Sequence, residues 1–422
     1  MTRLGLAPLA LLAACGSNHN SNPDSPAIVI DAAPDAPVRG IVTIHVRDST
    51  GTLPLAPSPV VFVDTDGTTT TVMTDPSGTV TGNVFAGANA TAIYTESTTV
   101  FELQTVFGIA PGDDITLGTT ALDQTPAGTF TINFTADTGA TSYTVVHPCG
   151  PITTMSTSPV VNLFNYCAHP AMDLVVVSLA ANGQPMHFVE KSGVAFTDGG
   201  STTMPASWQP LVAFSATYSN IGADVSEVRL NRSVPDKNGY FLSGTGPPSG
   251  SPRTLELNGP TAITSVLQTQ LLASTGAYQV VTAGVDGTAA TYALDVGASE
   301  LGWLGTPALD FTAEKITVPV TGSNAGDGFE VILNYDNLAS TFYSWNLYAP
   351  TAGDIQLPAI PLALGDYLPK NGYNVSALVG RLLETTALDG NKAFRANPGD
   401  SFPSLTTSPP VGGVIRLSTT SN

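Results

Sequence analysis

Short alternations of apolar and polar residues recur along most of the chain, and this pattern predicts β-strands. Typical runs are GIVTIHV, PVVFV, GTFTINFTA, SYTVVH, AYQVVTAG, KITVPV and FEVILNY. Turn formers such as Asp66-Gly67 and Ser77-Gly78 separate the runs. One stretch differs. Between Thr261 and Ser274, apolar residues lie near helical spacing and predict a helix.

Composition and length agree with an all-β protein of several units. Of 422 residues, 42% are hydrophobic and only 11% are charged, and Thr, Ser and Gly supply much of the rest. About 400 residues after the N-terminal segment exceed what one hydrophobic core supports. We therefore predict tandem immunoglobulin-like β-sandwich domains. Residues 39–122 and 127–220 are predicted to form one β-sandwich each. Residues 221–300 and 301–422 are predicted to form two further β units.

The N-terminal residues 1–14 predict a secretory signal. Arg3 precedes an apolar run from Leu4 that is far too short to span a bilayer. The run ends in Leu12-Ala13-Ala14-Cys15, which resembles the lipobox of bacterial lipoproteins. The resemblance implies cleavage before Cys15, acylation of its thiol and stable anchoring to the membrane. An ordinary secretory signal cut near Ala14 is the alternative.

The residue after Cys15 and the segment that follows predict where the protein sits. In the lipoprotein family an Asp after the Cys favours retention in the inner membrane. Gly16 is not such a signal, so the resemblance implies the outer membrane. Residues 15–38 are rich in Asn, Ser, Pro and Asp and predict a disordered tether.

The first unit resembles a known family of small sandwiches. Strand-like Val42 to Val46, the turn Asp48-Ser49-Thr50-Gly51, strand-like Pro59 to Asp64 and the hairpin motif Thr74-Asp75-Pro76-Ser77-Gly78 follow one another in order. The order is similar to that of carboxypeptidase-regulatory-like and bacterial immunoglobulin-like domains. Those modules are spacers or binding domains without peptidase residues, so the resemblance implies a non-catalytic role here.

Charge limits the partners. The chain carries 33 acidic and 14 basic residues, a net charge of −19. This charge argues against nucleic acid and against electrostatic attachment to anionic lipid. The expected partners are the membrane, through the N-terminal lipid, and an envelope protein or polysaccharide.

Cys149 and Cys167 remain once Cys15 is assigned to the lipid. An even pair in an exported chain predicts a disulfide. The flanking His147 and His169 complete a set of two thiols and two imidazoles, so a zinc site is the alternative.

Motifs for catalysis are missing from the sequence. It contains no Gly-x-Ser-x-Gly, HExxH, Walker or dinucleotide motif. Gly399-Asp400-Ser401 is interpreted as a turn, Asp64-Thr65-Asp66-Gly67 as an incomplete calcium loop, and His187 as a strand residue. We expect a non-enzymatic protein without cofactors, with a hydrolase of unrecognised site or a carbohydrate-binding accessory protein as alternatives.

Aromatic residues concentrate in the segment FYSWNLY. In a strand, Tyr343 and Trp345 share one face, whereas Phe342 and Tyr348 share the other. One of these faces must belong to the core. If the second is exposed, Phe342 and Tyr348 form an aromatic platform for a sugar or a protein.

Overall fold

A computed structural model describes residues 38–48, 51–54, 57–119, 123–233, 240–246, 252–260, 265–286, 289–322, 326–338, 340–388, 390–401 and 409–420. Strands dominate the described regular structure, which confirms the all-β prediction. One compact unit begins at Arg39. The signal, Cys15 and nearly all of the tether lie outside the described residues and stay predictions.

Several strands of the first half, Gly40–Val46, Thr79–Val84 and Val160–Phe164 among them, alternate between buried and more exposed side chains, as the sequence pattern predicts. In chain order they are β1 (Gly40–Val46), β2 (Pro59–Val63), β3 (Thr69–Met73), β4 (Thr79–Val84), β5 (Ala88–Ser97), β6 (Val100–Ile109), β7 (Asp114–Leu117), β8 (Pro126–Asn133), β9 (Ser142–His147), β10 (Gly150–Thr154), β11 (Val160–Phe164), β12 (Ala171–Leu179), β13 (Pro185–Ala195), β14 (Gly200–Thr203) and β15 (Gln209–Pro210).

The second half adds three short helices to its strands. In chain order they are β16 (Val212–Ser219), β17 (Val225–Ser233), β18 (Tyr240–Gly246), β19 (Arg253–Gly259), β20 (Ser265–Ala273), β21 (Tyr278–Val285), β22 (Thr291–Asp295), α1 (Val296–Ser299), β23 (Trp303–Leu304), β24 (Ala308–Asp310), β25 (Lys315–Thr317), β26 (Val320–Thr321), β27 (Gly328–Asp336), β28 (Phe342–Ala349), β29 (Asp354–Gln356), β30 (Asn374–Thr385), α2 (Gly390–Ala396), α3 (Pro398–Ser401) and β31 (Val414–Thr419).

One twelve-stranded sheet runs through most of the molecule. Its order is β18-β17-β20-β21-β31-β30-β27-β28-β6-β5-β2-β3. Within this sheet β28 pairs in parallel with β6, from Phe342 opposite Val100 to Tyr348 opposite Val106. The pairing joins strands of the first and last predicted units in one hydrogen-bonded surface.

The first range folds as two packed sheets. The sheet β4-β1-β7 packs on the large sheet around a core that includes Val42, Ile44, Phe62 and Ile115. Two predicted turns lie where expected. Gly67 (φ 81°) and Gly78 (φ 76°) adopt left-handed backbone that glycine tolerates best. The turn at Gly78 joins β3 and β4, which lie in different sheets, so it is not a hairpin turn.

The second range has sheets of its own. The sheets β10-β9-β12-β13-β15 and β11-β8-β14 enclose a core that includes Phe130, Tyr143, Leu174 and Val176. The next core is built on the sheet β19-β16-β22 and includes Phe214, Tyr218 and Leu267. Strand β16 contributes to this core, although its residues fall in the predicted second unit, which ends at residue 220.

The last range packs on the other side of the central strands. Trp345, Phe329, Leu333 and Leu382 form its core with Leu103 of β6. Small sheets β23-β26 and β24-β25-β29 supplement this range. The division into four domains is not decided by these cores and remains a prediction.

The helix predicted between Thr261 and Ser274 is wrong over the described residues from 265 onward. Residues 265–273 form β20, which pairs with β17 on one side and β21 on the other. Leu267 and Leu271 are buried, and so is Gln268. Because β20 lies inside the sheet with buried residues on both faces, its apolar residues do not alternate and imitate helical spacing.

None of the helices in the described ranges has the length and hydropathy needed to cross a membrane. The main helix, α2, packs on the central sheet instead. Its Phe394 is fully buried and lies against Tyr348, with ring centroids 6.4 Å apart. Arg395 of α2 also donates to Asp113, which precedes β7, at 3.0 Å.

Candidate functional site

The structure joins Cys149 and Cys167 by a disulfide. Their Cα atoms lie 5.1 Å apart, and the bridge fixes the loop after β9 to the loop before β12. His147 is buried, whereas His169 is exposed. Since both sulfurs are in the bridge, they are not thiolate ligands. In the described part of the chain no group of three or more His, Cys, Asp or Glu side chains is arranged to hold a metal.

His187 belongs to a polar cluster that the sequence did not reveal. Its Nδ1 lies 2.8 Å from Asp137 Oδ2, and the same oxygen accepts a hydrogen bond from Ser178 Oγ at 2.6 Å. Burial raises the pKa of Asp137, but hydrogen bonds from Ser178 and His187 outweigh burial and leave this pKa lowered.

The order of these groups does not suit a serine hydrolase. A serine nucleophile needs an imidazole that takes the proton from Oγ, with the carboxylate behind the imidazole. Here the fully buried Ser178 donates its Oγ hydrogen bond to the carboxylate of Asp137 itself. The cluster therefore ties the turn after β8 to β12 and β13.

Arg39 forms ion pairs with both carboxylates of the Asp64-Thr65-Asp66-Gly67 turn. Arg39 contacts Asp64 at 2.8 Å and Asp66 at 2.9 Å, and its guanidinium lies 4.4 Å from the ring centroid of Phe85. Asp64 is buried and accepts backbone hydrogen bonds from Thr65 and Phe85. The guanidinium supplies the positive charge that a calcium ion would bring.

The aromatic platform of Phe342 and Tyr348 is not formed. Tyr348 is 2% exposed and lies beside Glu330 and Phe394 in the first core, while Phe342 is half-buried. Burial raises the pKa of the Tyr348 hydroxyl well above its usual value. The prediction is wrong because Phe394 of α2 packs on the buried Tyr348, so this residue cannot form an exposed platform with Phe342.

The Gly399-Asp400-Ser401 segment lies in the short helix α3, not in a plain turn. Ser401 Oγ donates to the carbonyl of Asn397 at 2.7 Å, and Asn397 donates to Asp400 at 2.7 Å. The side chains of Asp400 and Ser401 therefore form local hydrogen bonds with Asn397, the residue before α3.

A cleft of about 580 Å³ opens between the large sheet and the β24-β25 hairpin, and we call it the hairpin cleft. The sheet contributes one wall, and the segment that follows β28 contributes the other. Its lining residues are Val63, Asn89, Phe107, Glu314, Ala349, Pro350, Thr351, Asp354, Ile355, Gln356, Leu357, Pro358 and Ala359. Clefts of this size typically hold a small ligand.

The hairpin holds one wall of the cleft in a fixed shape. Asp310 accepts backbone hydrogen bonds from Thr312 and Ala313 at 2.8 and 2.9 Å, which start the turn. Glu314 then adopts φ 50°, a left-handed conformation that is costly for a residue with a side chain. Gln356 of β29 secures the turn by donating to the carbonyls of Ala313 and Glu314.

Two polar side chains of the cleft are unengaged within the described chain. No hydrogen bond or ion pair occupies the amide of Asn89 or the carboxylate of Glu314 in this part of the molecule. Asp354 differs, because it forms an ion pair with Lys315. Asn89 and Glu314 can therefore bind a ligand without breaking an internal contact.

Sequence reasoning missed the cleft entirely. Its walls come from β2, β5 and β6 on one side and from residues 314 and 349–359 on the other. The parallel pairing of β6 with β28 and the pairing of β25 with β29 help to bring these distant segments together. No local motif marks any of the lining residues.

The comparisons with known proteins give matches among solved structures. No protein-family model and no curated protein matches the chain. Among solved structures, the Bacillus anthracis TIE protein is 9% identical, with 61% of this chain and 50% of that chain covered and a TM-score of 0.16. The chain thus spans about half of that protein.

Two further solved structures are pilus proteins. A streptococcal ancillary pilin is 10% identical, with 61% of this chain and 98% of that chain covered. The pilus adhesin SpaC from Lactobacillus rhamnosus GG is 9% identical, with 77% and 44% covered. Both TM-scores are 0.16, which is too low to carry an argument about fold or function.

Proposed function

We propose that this chain is a lipid-anchored protein of the bacterial envelope with an adhesive or ligand-presenting role and no catalytic activity. The lipobox-like Leu12-Ala13-Ala14-Cys15 and the polar residues 16–38 support an acylated Cys15 and a tether before the folded part. The tether ends where the compact unit begins, at Arg39. A flexible tether lets such a unit reach a partner away from the membrane surface.

The observation that carries the proposal is the hairpin cleft, which lies against the twelve-stranded sheet. The twelve-stranded sheet runs from the third predicted unit through the last unit into the first, and the cleft lies against its strands β2, β5 and β6. Backbone hydrogen bonds connect the strands that line the cleft to the rest of the sheet. This arrangement suits holding a partner.

The first unit is proposed to be a carboxypeptidase-regulatory-like or bacterial immunoglobulin-like module. Its sheet β4-β1-β7 packs on β2, β3, β5 and β6, and its turns at Gly67 and Gly78 carry the motif residues. In this role the module contributes the sheet wall of the cleft through Val63, Asn89 and Phe107.

The experiment has two parts. First, the full chain is expressed in a diderm bacterium, and the outer membrane, inner membrane and soluble fractions are probed. We expect the outer membrane fraction. Second, the detergent-purified chain is incubated with isolated envelope polysaccharide and envelope protein, and bound and free material is checked for cleavage products. Retention of an intact partner supports the proposal, whereas a specific cleavage product contradicts it.

A further inference from the structure

The polar lining of the hairpin cleft favours hydrogen-bond acceptors. Glu314 and Asp354 are carboxylates, and the amide oxygens of Asn89 and Gln356 add two more acceptors. The Gln356 nitrogen is already engaged with backbone carbonyls, which leaves its oxygen as the available group. Such a lining pairs best with a ligand that brings several donors.

The charge of the cleft excludes anionic ligands. Neither Lys nor Arg lines it, so phosphate, sulfate or carboxylate groups find no counter-charge. Lys315 neutralises Asp354, and the cleft therefore offers one uncompensated carboxylate, that of Glu314. A single charge among neutral acceptors suits hydroxyl donors.

The apolar residues that line the hairpin cleft also suit a sugar ligand. Phe107 is half-buried, so part of its ring faces the cleft, and Pro350 and Pro358 contribute rigid apolar surface. Pyranose rings have one apolar face of C–H groups and a rim of hydroxyls. An aromatic surface flanked by amide and carboxylate acceptors matches both parts of such a ring.

We propose that the hairpin cleft is a binding site for a neutral oligosaccharide, with Phe107 against a sugar ring and Asn89 and Glu314 accepting hydrogen bonds from its hydroxyl groups. This inference rests on the proposed function and names the class of ligand. The volume of about 580 Å³ lies in the range of small-ligand sites, which is about 300–1,000 Å³. Because the cleft is open, a longer chain can continue beyond it.

The test measures binding of the detergent-purified full chain to three immobilised probes, maltohexaose, cellohexaose and chitohexaose. We expect at least one probe to bind. Glu314→Gln replaces a charge-assisted hydrogen bond by a neutral one and should weaken binding about tenfold, and Asn89→Ala should weaken it about three- to tenfold. Phe107→Leu keeps an apolar side chain but loses the ring, and it should also weaken binding.

Matched controls lie on strand β19. Glu256→Gln and Asn258→Ala make the same chemical changes at exposed positions outside the cleft lining, so both variants should bind like the unaltered chain. Urea midpoints check that every variant is folded. Binding to none of the three probes, or equal binding by the cleft variants, overturns the inference. Binding of hexalysine in place of the sugars, lost in Glu314→Gln, also overturns it.

The outcomes separate this inference from the proposed function. A chain that is found in the outer membrane and retains an envelope protein, yet binds no sugar probe, contradicts the sugar site alone. A chain that binds a probe through Glu314 but is absent from the membrane fraction contradicts the anchored role alone.

Discussion

The hydrogen bond between Trp345 and Thr105 offers a direct test of the sheet that joins the two ends of the folded unit. Trp345 Nε1 donates to Thr105 Oγ1 at 2.9 Å across 240 residues of sequence, and both side chains are fully buried. Thr105 also lies 2.8 Å from Thr91 Oγ1. The bond connects β28 to β6 within their parallel pairing, so its loss reports on that pairing.

Trp345→Phe removes the indole N–H and part of the ring volume. Losing one net hydrogen bond costs about 1 kcal/mol, and the space left in a fully packed core adds about 1–2 kcal/mol. We therefore expect the free energy of unfolding to fall by about 2–3 kcal/mol. Thr105→Val keeps the shape of the side chain and removes both hydrogen bonds, at a cost of about 1–3 kcal/mol.

The assay is urea unfolding followed by far-ultraviolet circular dichroism, because tryptophan fluorescence changes with the substitution. A double-mutant cycle with Trp345→Phe, Thr105→Val and the combined variant isolates the pair. We expect a coupling energy of about 1 kcal/mol. A coupling within about 0.3 kcal/mol of zero would show that the two side chains are not in contact, and the pairing of β6 with β28 would be refuted.

Three further predictions concern stability. Cys149→Ser with Cys167→Ser opens an 18-residue loop and should lower the free energy of unfolding by about 3 kcal/mol in urea titrations, with the unaltered chain plus reductant giving the same loss. Burial, and then the charge of Asp173, raise the pKa of Glu190 to about 7, so its ionisation destabilises the fold as pH rises from about 4.5 through 7. Glu190→Gln should therefore raise the free energy of unfolding at pH 8 by on the order of 1 kcal/mol after solvent screening and leave it unchanged at pH 4. Equal changes at both pH values in urea titrations would contradict this. A Cβ added at Gly328 would lie 2.4 Å from the buried ring of Phe394, so Gly328→Ala should cost about 1–3 kcal/mol in thermal or urea unfolding, and an unchanged midpoint would show that α2 is not packed there.

The alternation of apolar and polar residues predicts the strands that bury only one face. Strands with one buried face, such as β1 and β4, alternate cleanly and were predicted from the sequence. Strand β20 does not alternate because residues on both of its faces are buried, Leu267 and Leu271 on one face and Gln268 on the other. Alternation assigned Phe342 and Tyr348 to one face, but it does not say what covers that face, and α2 covers Tyr348 from a position 46 residues later in the chain.

The candidate site was beyond sequence reasoning for a different reason. Asn89, Phe107 and Glu314 have no common spacing and no motif, and their proximity depends on which strands pair. Strand pairing over long separations is set by the packing of whole sheets, which a single sequence does not display. The Cys pair, in contrast, was predictable because export chemistry and an even count constrain it.

The most direct test of the account is the fate of the chain when Cys15 is replaced by Ser. If Cys15 carries the lipid, the unaltered chain remains in the membrane fraction after a wash with high salt, because acyl chains and not charges hold it there. The Cys15→Ser variant should then lose its acylation and be absent from the salt-washed outer membrane. A Cys15→Ser variant that persists in that fraction at the level of the unaltered chain would contradict the anchored role.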